Sequence, residues 1–274
     1  MIVFPNAKIN IGLNIIEKRE DGYHNLESVF LPVGWKDALE VIIDKNSSNG
    51  IVSFTSSGIE IPGDTNDNLC IKTYRIIQQD YDLPAIKIHL HKNIPMGAGL
   101  GGGSSDAAFC IKAINEVCEL NLAWGEMHHY AKQIGSDCSF FITNKPAYAT
   151  QKGDVLETIS LNLSGKYILI VHPGIHVSTA QAYAGVKPHK ALHNLEEVVI
   201  NESIENWKEK VKNDFEQSVF EQHLEIKKLK EKMYEAGAVY ASMSGSGSAV
   251  YGIFNNEPII EFNPDYAVFK EQLN

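Results

Sequence analysis

The N-terminal part of the chain alternates apolar and polar residues over positions 8–16. One face of this segment would be apolar (Ile9, Ile11, Leu13, Ile15), and the other would carry Lys8, Asn10, Gly12 and Asn14. The period of two predicts a half-buried β-strand with an unusually polar second face. A charged turn ending in Asp21-Gly22 and an extended stretch from Tyr23 to Val33 follow. Together these segments predict a β-hairpin.

The rest of the chain mixes strand and helix patterns. Strands are predicted at 39–44, 51–54, 85–91, 147–150 and 167–172. Helical spacing and capping residues predict helices from about 64 to 80, from Ser104 to about Leu120, and over 124–134 before Gly135. A polar region at 188–213 and a charged helix around 215–236 precede a hairpin of 238–243 and 249–254. This mixture predicts a two-domain α+β protein, with domains at 1–158 and 159–274.

Composition narrows the class of protein. The 274 residues are 44% hydrophobic and 21% charged, as in ordinary globular proteins. The net charge of −10 argues against a nucleic-acid or membrane partner, because both favour a basic surface. The first residues do not resemble a signal peptide, and no apolar stretch approaches the roughly 18 residues of a membrane helix. We therefore expect a cytoplasmic protein.

The cysteines and histidines do not predict a metal centre. The four cysteines lack the spacing of a zinc site or a redox pair, and free, mostly buried thiols are expected (Cys70, Cys110, Cys118, Cys138). His89 and His91 share one face of a predicted strand, but two ligands without a third are more often structural.

A glycine-rich run after the strand at 85–91 is the strongest chemical signal. Five glycines fall within the seven residues 97–103, and a helix pattern starts directly afterwards. Backbone N–H groups of such a loop can surround a polyphosphate, and the helix N-terminus adds unpaired donors. The run therefore predicts a nucleotide-binding loop rather than a flexible surface loop.

Three familiar glycine loops do not fit. Gly97, Gly99 and Gly102 match the dinucleotide fingerprint, but the helix from Ser104 is followed by another helix instead of a second parallel strand. The P-loop needs a lysine before its hydroxyl residue, whereas Gly103 precedes Ser104 directly. The later motifs of protein kinases are absent from the sequence.

The run Pro95-Met96-Gly97-Ala98-Gly99-Leu100-Gly101-Gly102-Gly103-Ser104-Ser105 closely resembles the phosphate loop of the GHMP kinases. Further segments resemble the branch whose acceptor carries a cytidine diphosphate group: Pro5-Asn6-Ala7-Lys8-Ile9-Asn10, Asp21-Gly22-Tyr23-His24 and Gly135-Ser136-Asp137. The resemblance runs from about Phe4 to about Phe254. It implies an N-terminal domain like domain 2 of ribosomal protein S5 and a C-terminal ferredoxin-like α/β domain. It also implies an enzyme of non-mevalonate isoprenoid biosynthesis that uses ATP and Mg²⁺ to phosphorylate a hydroxyl of that acceptor.

The resemblance also implies roles for individual residues. Asp137 would take the acceptor proton, and Lys8 would lie near the transferred phosphate. The loop residues Pro95 to Ser105 would hold ATP, with Asn68 at the adenine and Lys92 near the nucleotide. The acceptor would be held by Asn10 and by a cytidine pocket of Tyr23, His24, Thr179 and Tyr183. No protein ligand for a metal is implied, and Mg²⁺ would be held mostly by the phosphates and water.

Several alternatives remain open on the residues alone. Lys8 and Asn10 fit a solvated strand face, Asp137 fits a helix cap, and Tyr23 with His24 fits a packing pair beside a turn. The glycine patch at 244–248 reads as a hairpin turn, although the GHMP kinases bring a matching loop to the active site. The acceptor could instead be mevalonate or homoserine, or the protein could bind a nucleotide without catalysis. We expect a monomer or a weak homodimer.

Overall fold

The computed structural model describes all 274 residues. The strands β1 to β12 are Ile2–Val3, Asn6–Lys18, His24–Lys36, Ala38–Ile43, Val52–Gly58, Ile86–Lys92, Ala147–Thr150, Val155–Thr158, Tyr167–His172, Tyr240–Met243, Val250–Phe254 and Ala267–Gln272. The helices α1 to α9 are Leu69–Ile77, Gly102–Val117, Trp124–Ile134, Cys138–Thr143, Thr179–Ala184, Leu195–Asn201, Trp207–Lys210, Phe215–Gln222 and Leu224–Glu235. No helix combines the length and the apolar character needed to cross a membrane.

The first compact unit comprises Met1–Ala7, Gly34–Met96 and Gly101–Asn144. Its sheet has the strand order β1-β4-β6-β5, in which only the pairing of β5 with β6 is parallel. Strand β6 alternates strictly, so its apolar side chains are buried while Lys87 is exposed. Helices α1 and α2 pack together, and α2 also lies against β4. This packing places the start of α2 beside the end of β6.

The second unit comprises Lys8–Val33, Gly97–Leu100 and Lys145–Asn274. It contains one sheet of order β2-β3-β7-β8 and one antiparallel sheet of order β10-β11-β9-β12. Helix α9 packs on β10 and β11. The core between these elements includes Leu13, Val171, Phe215, Met233 and Val250. Burial of these apolar side chains is the main stabilising contribution in this unit.

The predicted α+β class is confirmed, and the segments 124–134, 147–150 and 167–172 have the predicted bounds. Helix α2 begins at Gly102, two residues before the predicted start, because Gly101 takes the left-handed N-cap conformation. The predicted helix at 215–236 is two helices, since His223 leaves the helical region with φ −133° and ψ 76°. The polar region at 188–213 contains α6 and α7.

The two units do not follow the predicted ranges 1–158 and 159–274. Strands β2 and β3 share a sheet with β7 and β8, so most of these two N-terminal strands belongs to the second unit. The boundary near residue 158 stays a prediction about the family domains.

Candidate active site

The glycine loop has the backbone geometry of an anion-binding segment. Gly97, Gly99 and Gly101 all have positive φ, at 61°, 75° and 68°. At Gly99 a Cβ atom would lie 1.9 Å from the carbonyl oxygen of Ser244, so no other residue fits there. The loop leads directly into the 16-residue helix α2. The N–H groups of such a loop and the N-terminus of such a helix each favour the binding of phosphate.

The other predicted loop residues differ in their accessibility. Pro95, Ala98 and Leu100 are buried and Met96 is half-buried, so this part of the loop is anchored by its side chains. Of the two serines at the helix start, Ser104 is half-buried. The side chain of Ser105 is completely buried, and its Oγ has no hydrogen-bond partner. Ser104 is therefore the hydroxyl that is better placed to meet a phosphate.

A cavity of about 490 Å³ lies in the first unit, next to the start of α2. Its lining includes Asn68, Leu69, Lys92, Met96 and Gly103. Asn68 is the N-cap of α1, where its Oδ1 accepts a hydrogen bond of 2.9 Å from the amide of Cys70. Asn68 thus caps this helix through its Oδ1, and its Nδ2 group is the part that can meet a nucleotide. The cavity brings three of the predicted ATP residues together with the loop residue Gly103.

Lys92 belongs to a buried group of charges beneath the start of α2. Its Nζ donates to Oδ2 of Asp37 at 2.5 Å and to Oδ2 of Asp106 at 2.8 Å. Asp37 also accepts backbone hydrogen bonds from Asn93 and Ile94 through Oδ1. Only 2% of the Lys92 side chain is exposed. Its ammonium therefore pairs with these two carboxylates within the protein, and its predicted contact with the nucleotide stays a prediction.

The two carboxylates around one ammonium shift the proton affinities of the cluster. Burial raises the pKa of Asp106 to about 7, the charge of Asp37 adds to this shift, and Lys92 opposes it. Oδ1 of Asp106 is buried without a hydrogen-bond partner. Burial alone would lower the pKa of Lys92, but Asp106 and Asp37 outweigh it and raise that pKa. The pKa of Asp106 is thus displaced from the usual aspartate range towards neutral pH.

We expect Asp106 to make the folded protein less stable as the pH rises. Its folded pKa lies above the value of an unfolded chain, so its stabilising contribution is complete below about pH 4 and is lost through about pH 7. The slope from this group is at most about 1.4 kcal/mol per pH unit. Urea unfolding of wild type and Asp106→Asn between pH 5 and 8 measures it. Parallel pH dependences of the two unfolding free energies would contradict this assignment.

The polar face of β2 is buried, and the solvated-face alternative is therefore wrong. Lys8 is 4% exposed and Asn10 is 3% exposed. Lys8 Nζ donates to Oδ1 of Asn10 at 2.6 Å and lies 4.5 Å from the centre of the Phe30 ring. Nδ2 of Asn10 donates to Ser28 at 2.8 Å. A buried ammonium held by an amide oxygen and an aromatic face is a fixed positive charge.

Asp137 lies in the tight turn between α3 and α4. Helix α3 ends before Gly135, and Asp137 stands at the N-cap position of α4 with φ −77° and ψ −14°. Its side chain makes no capping hydrogen bond. The helix-cap alternative therefore does not account for this carboxylate, although the position is the one that a capping residue would occupy.

The predicted cytidine residues lie on β3, on α5 and in the turn before β3. The rings of His24 and Tyr183 stack with centroids 4.8 Å apart, and Tyr183 also meets the edge of Phe215. Burial lowers the pKa of His24, and Lys18 adds to this shift. Tyr23 is 62% exposed. The packing-pair alternative therefore does not hold for Tyr23, and the structure brings His24 together with Tyr183 instead.

Thr179 begins α5 and stands one helical turn before Tyr183. Side chains four residues apart share one face of a helix, so this threonine and the stacked tyrosine point the same way. Ser178 and Gln181 form a capping box that fixes the start of this short helix.

Sequence reasoning did not identify the partners that hold these residues. Asp37 joins Lys92 across 55 positions, and Asn213 binds the backbone around Ser244 from 30 positions away. No local pattern marks either residue. The sequence places Asp106 directly after Ser104 and Ser105, but only the fold shows that the Asp106 carboxylate accepts a hydrogen bond from Lys92.

Comparison with known proteins identifies the family. The model of the GHMP kinases N terminal domain matches residues 68–145, and the model of the GHMP kinases C terminal matches residues 191–262. These ranges include the glycine loop, Asp137 and the second glycine turn. The chain belongs to the GHMP kinases.

Individual relatives carry a more specific name. The chain is 51% identical over 259 residues to a 4-diphosphocytidyl-2-C-methyl-D-erythritol kinase of Cytophaga hutchinsonii. The aligned region covers 94% of this chain and 94% of that protein. It is 48% identical to the protein of that name in Bacteroides thetaiotaomicron, over the full length of both. A crystal structure of 4-(cytidine 5'-diphospho)-2C-methyl-D-erythritol kinase superposes with a TM-score of 0.76 at 28% identity, covering 92% of this chain and 90% of the other. A homoserine kinase of Cytophaga hutchinsonii, at 16% identity and a TM-score of 0.70, shares the fold.

Proposed function

We propose that this protein transfers the γ-phosphoryl group of ATP to the 2-hydroxyl of 4-diphosphocytidyl-2-C-methyl-D-erythritol, in the non-mevalonate route to isoprenoid precursors. The observation that supports this choice of acceptor is the stacked pair of His24 and Tyr183, together with the exposed ring of Tyr23, which directly precedes His24 in the sequence. Mevalonate and homoserine have no base that such rings could recognise. Relatives at about half identity over almost the whole chain support the same acceptor. A cytoplasmic location and a monomer or weak homodimer remain predictions from the sequence.

The nucleotide end of the reaction is assigned to the glycine loop and the cavity of the first unit. The adenine would lie against Asn68 in that cavity, and the phosphates would lie along the N–H groups of the loop and of α2. No group of three or more histidine, cysteine, aspartate or glutamate side chains is arranged to hold a metal ion. Mg²⁺ would therefore enter on the phosphates of ATP and keep much of its water shell.

The chemical step assigns separate tasks to Asp137 and Lys8. The Asp137 carboxylate accepts the proton of the acceptor hydroxyl while the oxygen of that hydroxyl bonds to the γ-phosphorus of ATP. The bond between the γ-phosphorus and the bridging oxygen breaks, and this oxygen leaves with ADP. The fixed charge of Lys8 offsets the negative charge on the transferred group. Positioning and charge stabilisation supply most of the acceleration in phosphoryl transfer.

Cytidine recognition follows from the state of His24. Because burial lowers its pKa, the ring is neutral at pH 7 and has one donor and one acceptor nitrogen. The edge of cytosine offers an amino donor and ring acceptors, so a neutral imidazole complements it. Tyr183 holds the orientation of His24 by stacking. Thr179, on the same face of α5, and Asn10 complete the assigned acceptor contacts.

We expect Tyr23→Ala to raise the KM of the cytidine substrate by about 5- to 150-fold, since stacking on a base contributes about 1–3 kcal/mol. The KM of ATP should stay nearly unchanged, and the substitution should leave the fold intact because the ring is exposed. Steady-state kinetics with each substrate varied in turn measures both constants. Tyr23→Phe is the matched control, because it keeps the stacking surface. An equal rise of both KM values would contradict the assignment.

The proposed function is tested by incubating the protein with Mg-ATP and measuring ADP release with three acceptors. Turnover with 4-diphosphocytidyl-2-C-methyl-D-erythritol alone supports the proposal. Turnover with mevalonate or homoserine would keep the kinase and reject the cytidine pocket. Binding of ATP without turnover of any acceptor would favour a non-catalytic nucleotide-binding protein.

A further inference from the structure

The second glycine turn, residues 244–248 between β10 and β11, contacts the middle of the phosphate loop. Oγ of Ser244 donates to the carbonyl of Gly99 at 2.8 Å, and the amide of Ala249 donates to the carbonyl of Ala98 at 3.1 Å. Gly99 can approach Ser244 this closely only because it has no Cβ. The position of the turn therefore determines the position of the loop segment 97–100.

The same serine contacts the strand that carries Lys8. The amide of Asn10 donates to Oγ of Ser244 at 3.2 Å, so this hydroxyl accepts from β2 while it donates to the loop. Oδ1 of Asn10 in turn accepts the hydrogen bond from Lys8. Ser244 thus links the glycine loop with the Lys8–Asn10 pair, and it is completely buried.

A single side chain holds the backbone on both sides of this serine. Nδ2 of Asn213 donates to the carbonyl of Met243 and to the carbonyl of Gly245, both at 2.8 Å. Oδ1 of Asn213 accepts from the amide of Phe215 at 3.0 Å. The residue is 4% exposed, and both of its N–H donors are used on these two carbonyls.

The backbone around Asn213 is itself fixed to β2. The amide of Leu13 donates to the carbonyl of Lys212 at 2.8 Å, and the amide of Asp214 donates to the carbonyl of Leu13 at 2.9 Å. The Asp214 carboxylate accepts from the amide of Ile15 at 2.7 Å. Asn213 therefore connects the second glycine turn to a segment that is anchored along the strand bearing Lys8.

We propose that Asn213 is a positioning residue for phosphoryl transfer, acting through Ser244 on the loop segment 97–100 and on the Lys8–Asn10 pair. It touches no substrate. This inference rests on the proposed function, because it takes the glycine loop as the ATP site. Aspartate has the shape of asparagine but presents oxygen atoms to both carbonyls, so only the amide donors can make these contacts.

The first test compares Asn213→Ala and Asn213→Asp with Tyr234→Phe. The control removes another hydrogen bond of the same unit, from the Tyr234 hydroxyl to the carbonyl of Ala241 at 3.1 Å, which is not one of the contacts described above. Both Asn213 variants should lower kcat and raise the KM of ATP, with a combined effect on kcat/KM of about 10- to 100-fold. The KM of the cytidine substrate should change less than the KM of ATP, because Asn10 is the one assigned acceptor contact that belongs to these contacts. Equal losses in Tyr234→Phe, or full activity of Asn213→Asp, would overturn the proposal.

The second test is a double-mutant cycle with Ser244→Ala. If Asn213 acts through Ser244, the double variant should lose no more activity than the more damaging single variant. If the loss of activity in the double variant equals the product of the losses in the two single variants, the proposal is overturned. If the Asn213 variants do not fold, Ser244→Ala should still lower kcat and raise the KM of ATP, and Ser244→Thr, which keeps the hydroxyl, should restore them. An unaffected Ser244→Ala variant would then overturn it.

Failure of the proposed function gives a different result. If the wild type phosphorylates no acceptor, the cycle is read from the Kd of ATP by isothermal titration calorimetry. Non-additive losses of ATP affinity would support the positioning role even though the acceptor assignment had failed. Additive losses in an active enzyme would reject the positioning role alone.

Discussion

Asp137→Asn should lower kcat by about 10²- to 10⁴-fold, the range that a positioned general base contributes. The amide keeps the shape of the carboxylate but cannot take the acceptor proton. Because the side chain makes no capping hydrogen bond to α4, the substitution should leave the helix intact. The Kd of ATP should stay nearly the same. Single-turnover kinetics with saturating ATP, together with calorimetric titration of ATP, measures both quantities.

Asp44→Asn is the matched control for this result. Asp44 is also an aspartate in a turn, where it accepts hydrogen bonds from the amide of Asn46 and the hydroxyl of Ser47. Its substitution should change stability slightly and kcat not at all. A normal kcat in Asp137→Asn would remove Asp137 from the chemical step.

Lys8→Met should lower kcat by about 10²- to 10³-fold, as the loss of one group that stabilises transition-state charge does in other enzymes. Methionine fills much of the volume next to Phe30 but has no charge and no donor for Asn10. The unpaired amide oxygen should also cost about 1–3 kcal/mol of folding free energy. Measuring kcat at a temperature well below the Tm of the variant separates the loss of catalysis from the loss of stability.

Lys232 provides a matched control for Lys8 in the same unit. Its Nζ donates to the carbonyl of Glu261 and lies 4.8 Å from the centre of the Phe262 ring. Lys232→Met thus removes a similar amide-type contact and a similar ring contact at a residue with no assigned role in the reaction. A comparable loss of kcat in both variants would mean that Lys8 acts through stability alone.

Much of the local structure is predictable because it depends on neighbouring residues. Alternation is enough for β2, and helical spacing with a following glycine is enough for α3. The glycine loop is predictable for the same reason, since the positive φ angles of Gly97, Gly99 and Gly101 require a local residue type. The roles of Asp137 and Lys8 are predicted through the resemblance of the motifs that surround them.

The remaining features depend on partners that are distant in sequence. The resemblance implies a nucleotide contact for Lys92, whereas the sequence does not reveal that Asp37 and Asp106 bind its ammonium within the protein. Asn213 lies in a polar stretch with no periodic pattern, so its two hydrogen bonds to the second glycine turn could not be foreseen. The sequence does not predict the break at His223, because the apolar spacing continues across it.

The long-range contacts of β2 also set an order of events during synthesis. The first unit is complete in the nascent chain once Asn144 has emerged, whereas Asn10 must wait for Ser244, 234 residues later, and for the hydroxyl of Tyr251. Chain segments whose partners are made last remain exposed to misfolding and to chaperones for the longest time. Strand β2, which carries the assigned catalytic lysine, is thus one of the first strands to be translated and one of the last to complete its contacts. In a chain stalled on the ribosome before the second glycine turn is made, β2 would still lack its contacts with Ser244 and Tyr251.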